Sequence, residues 1–445
     1  MAQVDNVDNA SMDQIYGQTI ACECGKTHHI EPRRVIYERA ALTRLHEALS
    51  ECTTARRVAI LMDSRTRDVV GETAAAMLRD YDWHVLEVVV PDPAKGPGPV
   101  CDDHTHDMLL CQMEAPDVIL PVGSGVLSDL GKWIASDLNV PHVRFATAAS
   151  MNGYASANVA ATIKGVKSLL RGHPPKLVLS DPTILRDAPY AMTAAGLGDV
   201  LGKSVSSADW WMNHFLFGDY HCERSVSLIA DLEPLYMNHP EDLRDRKPEA
   251  IAALFHSLLL TGVAMTMAES SAPASGGEHL VSHALDMMSF LDETDHDLHG
   301  SQVGIGTVLA SEIYRRVLSI ESPEFHTPVS VDKGFWRALG DEIEAHYTAK
   351  IERLQKAAEM LSQGDVWDRL REEVKPLLRS PDEIRGCLQR AGAAFRAEHI
   401  GCSRERLLCA LLHAHEIRSR FTIIDLARLV GLLPQAAEEI VEEWS

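Results

Sequence analysis

Asp117-Val118-Ile119-Leu120-Pro121-Val122-Gly123-Ser124-Gly125-Val126-Leu127-Ser128-Asp129-Leu130-Gly131-Lys132 reads as a buried strand, a Gly-Ser-Gly turn and the start of a helix. An uninterrupted apolar run this short suits a parallel strand covered on both faces. Three more runs of the same kind lie around it, at residues 57–63, 84–90 and 176–181. Amphipathic stretches at 74–81 and 127–139 separate them. Such alternation predicts an open α/β sheet with crossover helices. Past residue 188 strand-like runs become scarce, and periodic segments at 250–269, 279–291, 301–318, 335–361 and 403–418 read as helices, with Ser403 as N-cap of the last. Two domains are expected, residues 1–188 with the sheet and residues 189–445 all-helical.

In an open parallel sheet, ligands bind beyond the carboxyl ends of the strands. Asp63, Gly123 and Asp181 stand at such ends, so the expected active site is the cleft between sheet and helical domain. At Gly123-Ser124-Gly125 the backbone can approach a ligand closely, and free amides at a helix start suit a pyrophosphate. The pattern is not G-x-G-x-x-G, and a plain strand-helix turn explains it equally well. Asp63 can accept hydrogen bonds from an adenosine ribose and would repel a 2′-phosphate, favouring NAD over NADP; it can equally be a helix cap. A cluster of small and hydroxyl residues, 146–156, follows the strand at 142–145 and could line the nicotinamide end.

The helical half carries Asp199 and three histidines, in Glu278-His279-Leu280-Val281-Ser282-His283 and Leu298-His299-Gly300. One carboxylate with two neutral imidazoles makes an open divalent metal site. His279 and His283 are four apart and share a helix face, so one can bind a metal while the other faces substrate. With 21 His in the chain, about one such pair arises by chance, and a core histidine with a satisfied hydrogen bond is the competing reading.

The formal charge of −22 argues against nucleic acid or an anionic membrane as partner. No secretory signal is read in the first twenty residues, and no spanning helix is expected, which points to the cytoplasm. Nine Cys without framework spacing suit a reducing compartment. Cys22-Glu23-Cys24-Gly25-Lys26-Thr27-His28-His29 could bind zinc, although Cys-x-Cys is tighter than finger spacing; a turn or hairpin is the alternative.

Together these segments resemble the sn-glycerol-1-phosphate dehydrogenase family, within the superfamily of glycerol dehydrogenase, dehydroquinate synthase and iron-dependent alcohol dehydrogenase. The likeness runs from Cys22-x-Cys24-Gly25-x-x-His28 through Gly123-Ser124-Gly125, the 147–156 loop, Gly196-Leu197-Gly198-Asp199 and the His279, His283 and His299 motifs to Arg418-Ser419-Arg420. It implies an N-terminal Rossmann-like domain and an all-α C-terminal domain. It implies a divalent metal on Asp199, His279 and His299, zinc first and nickel or iron as alternatives, with His283 as the catalytic residue beside the substrate. It implies NAD(H), ahead of NADP(H), on Gly123, Ser124 and Gly125, with Asp129 joining this set, Asp63 at the ribose and Thr147 and Ser150 on the nicotinamide side. The implied reaction is the reversible reduction of dihydroxyacetone phosphate to sn-glycerol 1-phosphate. The phosphate needs cations, for which Lys203, Lys164 and Lys167 are candidates. The family's Ser-Met-Asp-Gly-Tyr reads Ser150-Met151-Asn152-Gly153-Tyr154 here, so Asn152 is the expected substrate contact that sets this chain apart. The alternatives are a carbocyclic phosphate lyase like dehydroquinate synthase, and a dehydrogenase for another polyol or ketone. A small phosphorylated substrate and a homo-oligomer, dimer or larger, complete the expected partners.

Overall fold

The computed structural model describes residues 15–94, 96, 98–295, 297–326 and 330–444. The chain forms two compact units. The first comprises the described residues of Met1–Lys164, Ser168–Gly196 and Glu223–Ser270; the second comprises those of Gly165–Lys167, Leu197–Cys222 and Ser271–Ser445.

The first unit opens with a two-stranded antiparallel hairpin, β1 (Thr19–Ala21) and β2 (Thr27–His29). Its sheet has six parallel strands: β3 (Arg34–Tyr37), β4 (Arg57–Met62), β5 (His84–Val89), β6 (Val118–Gly123), β7 (Val143–Ala146) and, after a second hairpin of β8 (Asn158–Ile163) and β9 (Val166–Arg171), β10 (Leu177–Ser180). The order across the sheet is β3-β10-β7-β6-β4-β5. The apolar runs form strands because both faces are covered. Val58, Ile60 and Met62 of β4 join Val118, Leu120 and Val122 of β6 in one core, while Ala59, Leu61 and Ile119 face the other. Period-two alternation sends neighbours to opposite faces, and here both faces are apolar. The expected α/β sheet is therefore present, and the edge strand β3 and the β8–β9 hairpin are additions to the reading.

Pro248–Ala268 is a 21-residue helix of this unit. By length and composition it could cross a membrane, with a mean hydropathy of 1.8 over an 18-residue window. That window is 89% buried within the protein, as in a core helix rather than a lipid-facing one. At Gly262 a Cβ would lie 2.9 Å from Asn152 O and 3.0 Å from the amides of Ala155 and Ser156, so the helix meets the 146–156 loop backbone to backbone. Thr266 Oγ1 locks the contact, accepting from Ala157 N at 3.1 Å and donating to Ala155 O at 3.2 Å.

The second unit is helical. Its centre is the pair Gly277–Asp292 and His299–Ser319, with the end of Tyr190–Leu201 and all of Lys203–Phe217 packed in the same unit. Ser403 caps its helix as expected, accepting from Arg406 N at 3.2 Å. Two expected helices are shorter than their periodicity suggests. The 335–361 segment breaks at Arg337, whose φ of 48° ends Lys333–Trp336 while its guanidinium reaches Asp292 at 2.5 Å; the long helix is Gly340–Leu361. The 403–418 segment stops as Arg404–His413 and one tight turn, Ala414–Glu416. The chain then leaves the helix, and Arg418 and Arg420 reach Ser275, with Nη1 of Arg418 on Oγ at 3.2 Å and Nη1 of Arg420 on the carbonyl at 2.6 Å.

Candidate active site

Small residues decide how closely the helices of the second unit approach. A Cβ at Gly198 would fall 2.1 Å from Gly300 O and 3.3 Å from Gly304 Cα. A Cβ at Gly306 would fall 2.3 Å from Glu278 O. Only hydrogen fits at these contacts, so the three segments bearing Asp199, His279 and His299 meet backbone to backbone. Their side chains converge: one ligand atom from each of Asp199, His279 and His299 lies within 4.8 Å of the others. Asp199 Oδ1 is 3.4 Å from His279 Nε2. Two donors at the usual 2.0–2.2 Å from a divalent ion in tetrahedral array stand roughly 3.4 Å apart, so the spacing fits a cation between them. Asp199 and His279 are buried and His299 is half-buried.

The surroundings select which nitrogens face inward. His279 Nδ1 lies 2.7 Å from Glu278 Oε1, which also accepts from Gly276 N at 2.7 Å. A proton on Nδ1 leaves Nε2 with its lone pair toward Asp199. Ser282 Oγ donates to Gln302 Oε1 at 2.8 Å and is 3.2 Å from His299 Nδ1, so it accepts from that nitrogen and leaves Nε2 of His299 open. Orientation by a second partner is what metal-ligating histidines require. Without a cation, burial pulls His279 down, but its hydrogen bonds to Asp199 and Glu278 and their charges hold it up to about 9. That proton stands where a metal's charge would. Burial lowers His299 to about 4, and burial with the positive Arg418 keeps His283 well below its usual value, so both are neutral imidazoles.

His283 joins this group, its ring 5.8 Å from that of His299. Arg418 Nη2 is 3.4 Å from His283 Nδ1. Lys167 pairs with Asp286 at 3.5 Å and its charge acts on both His283 and His299. In the sequence Arg418, Glu278 and Ser282 are only letters of motifs; the structure brings them to this group. Their position signals it for two of them: Glu278 precedes the candidate ligand His279, and Ser282 is three residues after His279 on the same helix. Asp209 stands behind the group, accepting from Gly277 N at 2.7 Å, Ile423 N at 2.9 Å and Tyr314 OH at 2.5 Å. Burial and then the charge of Glu278 push its carboxyl up to about 8. Lys203 is buried at the first position of Lys203–Phe217.

In the first unit the residues read as nucleotide-binding gather at the carboxyl ends of three adjacent strands. Gly123 ends β6 and lies opposite Ala146 of β7, with Thr147 N donating to Gly123 O at 3.2 Å. A Cβ at Gly123 would strike Leu127 at 2.3 Å, so this glycine brings the helix Gly125–Asp137 down onto the strand. Ser124 makes no side-chain cap, which leaves the first amides of that helix to another acceptor. Asp63 follows β4; Oδ1 caps Thr66 N at 2.7 Å and Oδ2 meets Arg65 Nη2 at 3.0 Å. Ser150 is buried with Oγ 3.2 Å from Tyr154 OH, and Asn152 is half-buried in the same loop. Asp129 is committed inside the fold: Oδ1 accepts from Lys132 Nζ at 2.8 Å and Oδ2 from Ala160 N at 3.1 Å. Lys164 sits at the β8–β9 turn with φ 49°, its amide donating to Asp103.

Residues 36–189 match the family model described as iron-containing alcohol dehydrogenase. The chain is 30% identical over 322 residues to glycerol-1-phosphate dehydrogenase [NAD(P)+] of Thermococcus kodakarensis, covering 72% of each chain. It is 26% identical over 419 residues to the enzyme of the same name from Bacillus licheniformis, covering 93% of each. Its fold is shared with the NADH-dependent butanol dehydrogenase A of Thermotoga maritima (TM-score 0.60, 16% identity, 97% of this chain and 99% of that one). The glycerol dehydrogenase of Schizosaccharomyces pombe is similar at TM-score 0.59, 15% identity, and 92% and 90% coverage. A parallel-sheet α/β region followed by a helical region, a convergent Asp-His-His cluster and this extent of identity agree: the chain is an NAD(P)-linked dehydrogenase that belongs to the glycerol-1-phosphate dehydrogenase family.

Proposed function

We propose that this chain catalyses the reversible reduction of dihydroxyacetone phosphate by NAD(P)H to sn-glycerol 1-phosphate. The observation that carries the reading is the Asp199, His279 and His299 cluster, with neutral His283 and cationic Arg418 beside it. Asp199, His279 and His299 would hold one divalent metal, zinc first, with nickel or iron as alternatives. When bound there, such an ion polarises a carbonyl oxygen and stabilises the alkoxide charge that develops as hydride arrives. His283 orients the substrate hydroxyl and passes the proton that balances the hydride, a task suited to an imidazole kept neutral. Arg418 and Lys167 give the phosphate dianion its countercharge, and Lys203 and Asn152 remain substrate contacts.

The amides after Gly123, with Ser124 and Gly125, take the cofactor pyrophosphate, and Thr147 and Ser150 border the nicotinamide. Asp63 reads the adenosine ribose, and its charge favours NAD over NADP. Asp129 braces the loop through Lys132 and the Ala160 amide, and its remaining lone pairs can still accept from the cofactor. A homo-oligomer in the cytoplasm completes the reading.

The test is NADH oxidation by protein loaded in turn with Zn2+, Ni2+ and Fe2+, using dihydroxyacetone phosphate, unphosphorylated dihydroxyacetone and a panel of other ketone phosphates. The expected result is metal-dependent turnover with dihydroxyacetone phosphate and a kcat/KM at least about tenfold lower without the phosphate. Enantioselective analysis should find sn-glycerol 1-phosphate. Equal rates on the unphosphorylated ketone, or turnover that survives metal removal, would overturn the proposal.

A further inference from the structure

We propose that the N-terminal hairpin is a second metal site, distinct from the Asp199 cluster, in which Zn2+ is held by the thiolates of Cys22 and Cys24 and the imidazole of His28. The ligand atoms of these three residues lie within 4.8 Å of one another, and Cys24 Sγ is 3.3 Å from His28 Nε2. With Zn–S at about 2.3 Å and Zn–N at about 2.0 Å, tetrahedral ligands stand roughly 3.5–3.8 Å apart. The side chains are therefore close to the spacing an ion would set.

The backbone explains why Cys-x-Cys, tighter than finger spacing, can still converge. Cys22 N donates to Lys26 O and Gly25 N donates to Cys22 O, both at 3.0 Å, closing a compact turn. Gly25 supplies its φ of 85°, a left-handed conformation that costs glycine little. The turn folds Cys24 back over β2, where alternation points His28 inward while Thr27 and His29 are exposed. The partner of His29 is Thr19, at 3.1 Å on the outer side, so the two adjacent histidines have separate environments.

The hairpin also needs what a metal supplies. Its strands are three residues each, and Thr19, Ala21, Thr27 and His29 are exposed. A ladder this short with so little apolar cover is marginal in water. None of the nine cysteines is in a disulfide. The soft S,S,N donor set selects zinc over hard cations, and binding displaces the thiol protons. The fourth position falls to a donor outside this segment. The ion would be a staple, tying the turn to β2 ahead of the edge strand β3, with no part in hydride transfer.

The experiment uses full-length protein loaded with Co2+ in place of zinc. A thiolate-to-cobalt charge-transfer band is expected in the wild type, retained in His299→Ala and lost in the Cys22→Ser/Cys24→Ser double variant; the Asp-His-His cluster has no thiolate to give one. After zinc loading, the double variant should hold about one ion per chain fewer and melt at lower temperature. Its kcat and KM for NADH oxidation should stay within about twofold of wild type. Absence of the band from wild-type protein overturns the proposal without any variant, which covers the case of a double variant that does not fold. Unchanged zinc content in the double variant, or a Cys22–Cys24 disulfide in protein purified under reducing conditions, overturns it as well.

Discussion

Asp129 in the first unit and Asp199 in the second are both buried carboxylates, and the fold treats them in opposite ways. Around Asp129 the chain supplies its own cations. Lys132 Nζ reaches Asp129, Gly153 O and Asn158 O, and Arg144 donates to Ser128 O at 3.0 Å, Gly153 O at 3.0 Å and Tyr154 O at 2.7 Å. This network ties down the 146–158 loop. Around Asp199 the near neighbours are imidazoles, with Glu278 adding a second carboxylate whose Oε2 is buried without a hydrogen-bond partner among the described residues. A buried negative group needs a countercharge; here it rests on a proton on His279, which a divalent ion can replace. Burial of charge alone therefore does not mark a site; the origin of the countercharge does.

The contrast breaks most visibly at His299. His299→Ala should remove the bound metal and lower turnover by at least about a hundredfold with the fold retained, read by elemental analysis, NADH oxidation and circular dichroism. Full activity with metal retained would place the ligands elsewhere. At the Asp129 network the loss should be of stability. Lys132→Met takes from Asp129 its hydrogen-bonded cation, leaving only the more distant charge of Arg144, and should cost about 3 kcal/mol in denaturant unfolding.

Its pH signature follows with a definite sign. Burial holds Lys132 down at about 8 against an ordinary 10.5. Between those values the unfolded chain binds the extra proton, so this group's contribution to stability rises with pH across that window. Lys132→Met should lack that rise, so the variant's stability is flatter with pH and the gap between variant and wild type widens from pH 8 to 10.5.

Two smaller changes sharpen the comparison. Ser282→Ala removes the acceptor for His299 Nδ1–H without touching a ligand. It should weaken metal affinity by about tenfold, measured by chelator competition, with little change in melting of the metal-free protein. At the nucleotide end, Asp63 is a carboxylate half neutralised by Arg65, which also pairs with Asp92 at 2.6 Å. Asp63→Gly should raise the NADPH/NADH ratio of kcat/KM severalfold. An unchanged ratio with a loss of about 1 kcal/mol in stability would make Asp63 a helix cap only.

The strands at 57–62 and 118–123 were legible because apolar runs covered on both sides need no long-range information. Asp199, His279, His283 and His299 were legible as residue types in local motifs. The β8–β9 hairpin was not, since its residues alternate weakly and most are only partly buried or exposed, yet it contains Lys167, which pairs with Asp286 within the second unit. Arg418 was equally hidden: it lies in a segment whose periodicity reads as helix, and only the turn after His413 frees it to reach His283. Arg337 was hidden too: its φ of 48° breaks the helical segment, and its guanidinium pairs with Asp292, 45 residues away.

What the residues determine on their own is local: a strand where apolar runs are short, a tight turn where glycine can take the left-handed region, a ligand where imidazole and carboxylate recur. Tertiary structure alone decides which of these meet. Gly198, Gly300, Gly304 and Gly306 are unremarkable one at a time, and they matter because backbones from separate helices touch at them. That approach is a property of packing, and it is what brings a scattered carboxylate and imidazoles within reach of one cation.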